Sequence, residues 1–191
     1  MICTIGRPNY AQAVPVPEVM REVIRLYVQI ALLRRGPQDL PASRLLLVLT
    51  VCGFAAVNAL VSGLLPPSTG WPPQLAVDVL FTLAWYAALL QLTGRGERFL
   101  QTATAVFGLR SVLAPLVIVS QWLALRFQHD STWQLPIAVG GLSLVIWLIA
   151  ANTQVVKAAL DWSSTSSVAL VILQILTGEI LLIALFPPGP A

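Results

Sequence analysis

The sequence predicts an all-α, polytopic membrane helical bundle: five transmembrane helices preceded by an N-terminal amphipathic interfacial helix. Three observations carry this. Of 191 residues, 57% are apolar and 10% charged, against about 25% charged in ordinary soluble domains. The apolar excess falls in blocks of about 20 residues, the length a helix needs to cross about 30 Å of hydrocarbon. Of eleven basic and eight acidic residues, only Asp78, Arg126 and Glu179 lie inside those blocks, as expected when a charge at a helix centre costs about 2.5 to 3.5 kcal/mol to insert. The same figures exclude a disordered chain, a disulfide-rich secreted module and a nucleic-acid binder built on a dense basic face.

Residues 1–44 read as a cytoplasmic N-terminal segment. Met1 to Tyr10 lack the apolar core and small-residue cleavage site of a signal peptide, so insertion rests on the first span. From Glu18 to Arg35 the pattern is helical. Glu18, Arg21, Glu22, Arg25 and Gln29 recur at spacings of three and four, while Val19, Val23, Ile24, Tyr27, Ile30 and Ala31 form the opposing stripe. Pro15 and Pro17 precede this helix and Gly36-Pro37 ends it. Arg21, Arg25, Arg34 and Arg35 suit it to the inner leaflet surface.

The five spans are 45–65, 75–92, 111–127, 136–156 and 168–186. Helix is the only secondary structure that satisfies backbone polar groups in such long apolar runs. Six of the eleven cations (Arg7, Arg21, Arg25, Arg34, Arg35 and Arg44) precede the first span, which places the N-terminus in the cytoplasm. The connections then agree in turn. Pro66–Gln74 is outside and uncharged. Thr93–Arg110 is inside with Arg95, Arg98 and Arg110. Gln128–Leu135 is outside, Lys157–Ser167 is inside with Lys157, and the short tail 187–191 ends outside. Within the second connection, Glu97 to Arg110 is expected as another surface element, with Pro115 kinking its junction to the third span. Pro66-Pro67-Ser68-Thr69-Gly70-Trp71-Pro72-Pro73 and Gly94-Arg95-Gly96 supply turn chemistry. Ser166 or Ser167 is placed to cap the last helix. Trp71, Trp122, Trp133 and Trp162 stand at expected boundaries, where an amphipathic ring is favoured.

Reactive motifs are scarce. One histidine, His129, and the widely separated Cys3 and Cys52 make a zinc site untenable; both cysteines read as reduced structural thiols. Gly94-Arg95-Gly96 lacks the strand and the third glycine of a phosphate loop, since Phe99 stands in that place. Gly141-Leu142-Ser143 resembles the start of an intramembrane serine-protease motif without a facing histidine. No catalytic, cofactor or metal residues are assigned. Asn58, Gln91, Gln121, Asn152 and Gln174, one on each span, are expected to bond between helices, and Gly53, Ala55, Ala59 and Gly63 to permit close helix contact. At about 1.5 Å per residue, Asp78, Arg126 and Glu179 all fall in the outer half of the bilayer. The expected arrangement is a cluster in which Arg126 pairs with Asp78, Glu179 or both.

Five spans, a cytoplasmic N-terminal segment, the run Gly94-Arg95-Gly96-Glu97-Arg98-Phe99-Leu100-Gln101 leading to Leu113-Ala114-Pro115-Leu116, and Trp147 followed by Lys157-Ala158-Ala159-Leu160 resemble the Yip-domain family in its bacterial branch. The resemblance covers roughly Arg21 to Phe186. It implies a multi-pass protein of the bacterial inner membrane. Eukaryotic relatives associate with prenylated Rab-type GTPases and carry Asp-Leu-Tyr-Gly-Pro before the first span. Here Gly36-Pro37-Gln38-Asp39-Leu40-Pro41 lacks the tyrosine and has another order, which argues against a GTPase partner.

The expected function is therefore a non-enzymatic structural, adaptor or membrane-organising component. Its partners would be the lipid bilayer and a membrane protein or a second copy of itself, with no cofactor and no nucleic acid. The alternative is a small-solute or ion transporter using Asp78, Arg126 and Glu179. An intramembrane enzyme is disfavoured because nucleophile and base are both missing.

Overall fold

The computed structural model describes residues 16–34, 36–64 and 71–187. Six helices follow in order: α1 (Val16–Ala31), α2 (Arg44–Leu64), α3 (Trp71–Leu92), α4 (Phe99–Arg126), α5 (Ser131–Leu160) and α6 (Ser164–Leu185), with short 3-10 turns at Pro37–Asp39 and Gly96–Arg98. Among the described residues, α3 to α6 are each long and apolar enough to cross a membrane, their most apolar stretches having mean hydropathy of 1.7, 1.8, 1.9 and 2.5. The protein is a multi-span, all-α membrane bundle. α2 adds a further apolar helix beginning at Arg44. The expected tail lies mostly outside the described residues, as do Cys3 and Arg35.

Local chemistry explains where the helices begin and end. Pro72 and Pro73 sit in the first turn of α3, where a missing N–H leaves nothing unpaired, so the helix starts at Trp71 rather than Leu75. It ends on Gly94 at φ 70°, with the Arg95 N–H donating to the Leu90 carbonyl at 2.7 Å in a Schellman closure. Asp130 caps α5 by accepting from the Thr132 N–H at 3.0 Å. Ser163, not Ser166 or Ser167, caps α6: its Oγ accepts from the Ser166 N–H at 3.2 Å. α1 stops at Ala31, before the expected Arg35, because Leu33 takes a left-handed conformation at φ 61° and the Arg34 N–H returns to the Gln29 carbonyl at 2.9 Å.

α4 departs furthest from expectation. The anticipated surface element at 97–110 and the span at 111–127 form one continuous helix of 28 residues, about 42 Å long. Every residue from Thr102 to Leu109 is buried, and α1, α2, α3 and α5 all pack against α4. Threonine, alanine and glycine keep this stretch slim, so neighbours close around it; Arg98 and Arg110 bracket a run free of charge. Pro115 lies inside the helix instead of at a junction between two elements.

α1 is fastened to this centre by Tyr27, Ile30 and Ala31, all buried. Tyr27 lies across Gly108, where an added Cβ would stand 2.7 Å from the ring Cζ and closer still to Cε1. The Thr50 hydroxyl donates to the Leu46 carbonyl at 2.7 Å, so its single proton is committed and the Tyr27 hydroxyl donates to it, also at 2.7 Å. Trp147 Nε1 donates to the Ala31 carbonyl at 3.1 Å. Gln101 Nε2 similarly holds the buried Leu40 segment through its carbonyl at 2.9 Å. The expected small-residue contact on α2 takes a different form: nothing lies within 4 Å of a Cβ built on Gly53, and the close approach is made by Gly108 on α4.

Candidate functional site

Asp78, Thr82 and Tyr86 recur every four residues and so share one face of α3. Opposite them stands Arg110 of α4, at the end of its enclosed half. Arg110 Nη1 donates to both Asp78 oxygens, at 3.2 and 3.0 Å, and to Thr82 Oγ1 at 3.3 Å. Both charged side chains are part-buried, 26% and 31% exposed, so the attraction is less screened than at an open surface. Next along the same face, the buried Tyr86 hydroxyl donates to Gln174 Oε1 of α6 at 2.9 Å.

The ion pair opens on a cavity of about 680 Å³ to which every helix from α2 to α6 contributes. Its polar wall comprises Asn58, Gln74, Asp78, Arg110, Gln121, Asn152 and Glu179; Phe54, Trp71 and aliphatic side chains complete it. Glu179 is on the same α6 face as Ile175 and Leu182, which also line it. The Asn58 and Asn152 amides each donate to a carbonyl of their own helix, Phe54 at 2.8 Å and Leu148 at 2.9 Å. Only the NH₂ can make those bonds, so each Oδ1 is left as an acceptor without a donor among the described residues.

Asp78 and Glu179 line one cavity, but Arg126 does not join them. It sits exposed in the last turn of α4, about 24 Å along the axis from the level of Asp78. Arg110, placed in a loop by the sequence reading, takes its part because α4 extends far below the expected boundary. The overlooked signal was the uncharged stretch from Phe99 to Leu109. Of the spaced amides, Gln174 alone makes an interhelical bond among the described residues; Asn58 and Asn152 bond within their own helices.

A second polar centre lies where the α3–α4 connection meets the α5–α6 turn. Arg95 and Arg98 both reach Asp161, Arg98 Nη1 at 3.1 Å. Arg98 also donates to the Ala158 and Ala159 carbonyls at 3.3 and 3.2 Å, satisfying the end of α5. The hydrogen bond from Arg95, aided by the positive charge of both arginines, holds the Asp161 carboxyl below the usual carboxylate range. Lys157 Nζ donates to Ser164 Oγ at 3.1 Å across the same turn.

Elsewhere, Ser143 Oγ is exposed and donates to the Val139 carbonyl at 2.8 Å, and Cys52 is an exposed free thiol. Trp122, Trp133 and Trp162 are exposed. No group of three or more potential metal ligands occurs among the described residues. Arg21, Arg25 and Arg34 are exposed on or just beyond α1. Comparison with protein-family models, curated proteins and solved structures returns no match to this chain.

Proposed function

We propose that this chain is a non-enzymatic membrane transport protein for a small polar solute, with the five-helix cavity as its binding site. The observation that carries the reading is the part-buried Asp78–Arg110 pair opening on a polar cavity shared by α2 to α6. A volume of this size is typical of small-molecule sites, and ionisable groups on membrane helices are kept where solute or ion pathways need them.

In this reading α2 to α6 cross the bacterial inner membrane. The Arg95, Arg98 and Lys157 end is cytoplasmic, α1 and the turn after it lie along the inner leaflet through Arg21, Arg25 and Arg34, and the C-terminus is outside. The test is flux into proteoliposomes containing the purified protein, using small cationic, neutral and anionic solutes with and without a proton gradient. Uptake above protein-free vesicles, falling at least about tenfold in Arg110→Gln and Asp78→Asn, is the expected result. Uptake indistinguishable from protein-free vesicles for every solute, from correctly folded protein, overturns the transport reading.

A further inference from the structure

We infer that the cavity is selective for small organic cations of the ammonium or guanidinium class; the inference rests on the cavity being a solute site as proposed above. Charge balance comes first. Asp78 is neutralised by Arg110, whereas Glu179 has no ion pair or hydrogen bond among the described residues. Among the described residues Arg110 is the only basic one on the cavity wall, so the described wall carries one uncompensated negative charge. A carboxylate in a membrane helix is costly unless something of opposite sign, or a proton, meets it.

Hydrogen-bond polarity points the same way. Arg110 spends its donors at Nη1 on Asp78 and Thr82, and the Asn58 and Asn152 amide protons are directed to their own helices. The wall then offers two amide oxygens and a carboxylate as acceptors, beside the Gln74 and Gln121 amides, which carry both polarities, and the remaining N–H groups of Arg110, whose charge Asp78 already balances. Ammonium and guanidinium ions carry donors and no acceptor. Trp71 and Phe54 on the same wall add aromatic faces of the kind that attract such cations. An anion would meet Glu179, unpaired among the described residues, and an Arg110 whose charge Asp78 already balances.

The experiment reads the cavity's charge by thiol modification, without any transport step. Gln121→Cys is placed in a Cys3→Ala, Cys52→Ala background and reconstituted in vesicles. Its reaction rates are measured with trimethylammonium-ethyl, sulfonate-ethyl and uncharged methyl methanethiosulfonates. A carboxylate about 10 Å away through an effective dielectric of about 20 alters the local concentration of a monovalent reagent by about tenfold, in opposite senses for cation and anion. The expected result is a strong preference for the cationic reagent, referred to a free thiol. That preference falls at least about tenfold in Glu179→Gln and Asp78→Asn, persists in Glu179→Asp, and rises in Arg110→Gln. Because the last change has the opposite sign, general loss of structure cannot imitate the series. If the uncharged reagent reacts but cation and anion differ no more than with a free thiol, cation selectivity is overturned and the solute site stands. If the uncharged reagent does not react, the cavity is closed to solutes and the transport reading falls with the inference.

Discussion

Gly108→Ala should loosen the whole N-terminal helix from the bundle. The new Cβ would stand 2.7 Å from the Tyr27 ring Cζ and nearer to Cε1, so the ring must move. Moving it strains or breaks the hydroxyl bond to Thr50. Overpacking costs about 1 to 3 kcal/mol and losing the hydrogen bond about 1 kcal/mol. The better helix propensity of alanine returns about 1 kcal/mol, leaving a net loss of about 1 to 3 kcal/mol. Gly53→Ala is the internal control, because nothing lies within 4 Å of its added Cβ; it should be neutral or stabilising by up to about 1 kcal/mol. Unfolding is followed in mild detergent by denaturant titration, with limited proteolysis reporting release of α1. In a double-mutant cycle, Gly108→Ala should cost at least about 1 kcal/mol less when Tyr27 is already alanine. Equal stability of the two glycine variants, or an absence of coupling to Tyr27, refutes the packing argument.

Three other consequences can be measured. Asp78→Asn or Arg110→Gln should each destabilise by about 1 to 3 kcal/mol by leaving a part-buried partner uncompensated; the Asp78→Arg, Arg110→Asp exchange should recover part of that, while Arg126→Gln should stay within about 0.5 kcal/mol. A larger effect at Arg126 than at Arg110 in detergent unfolding would reverse the pairing. Tyr86→Phe should cost about 1 kcal/mol by orphaning Gln174, and Gln174→Leu in the same background should restore most of it; no recovery would mean that the bond is not what is lost. The depressed carboxyl of Asp161 gives its contacts a pH sign. A group whose folded value lies below its unfolded one contributes stability above the ordinary carboxylate range and loses it as pH falls through the lower folded value. Protection of the amides at residues 158 to 164, taken relative to the intrinsic exchange rate at each pH, should therefore fall in acid in the wild type and hardly change with pH in Asp161→Asn; parallel acid responses in the two would contradict the assignment.

Helix boundaries were legible wherever a local rule decided them. The Gly94 turn and the apolar α6 follow from side-chain chemistry within a few residues, whereas Pro72 and Pro73 read as part of a turn and prove to lie in the first turn of α3. The exclusion of charge from apolar blocks, likewise, is a property of composition against hydrocarbon and needs no partner. Arg110 shows where such reading stops. A basic residue after a polar connection reads as a loop cation, and hydropathy windows end the preceding stretch there because threonine and glycine lower its score. What makes Thr102 to Leu109 interior is the packing of α1, α2, α3 and α5 against α4, which is a fact about neighbours. Gly53 errs in the opposite direction: its spacing fits a contact seam, but none of the described residues comes within 4 Å of a Cβ built on it.

Composition and the spacing of charges alone determined that this chain is an all-α, multi-span membrane protein, because the cost of burying charge and bare backbone in lipid acts on each segment separately. Tertiary structure decided which charges meet. Asp78 could have faced any cation at its depth, and only the continuity of α4 through the bundle brought Arg110 to it, leaving Glu179 across the cavity without a partner among the described residues. Pairing depends on the rotation and axial offset of helices far apart in the chain, quantities set by packing rather than by any local pattern of residues.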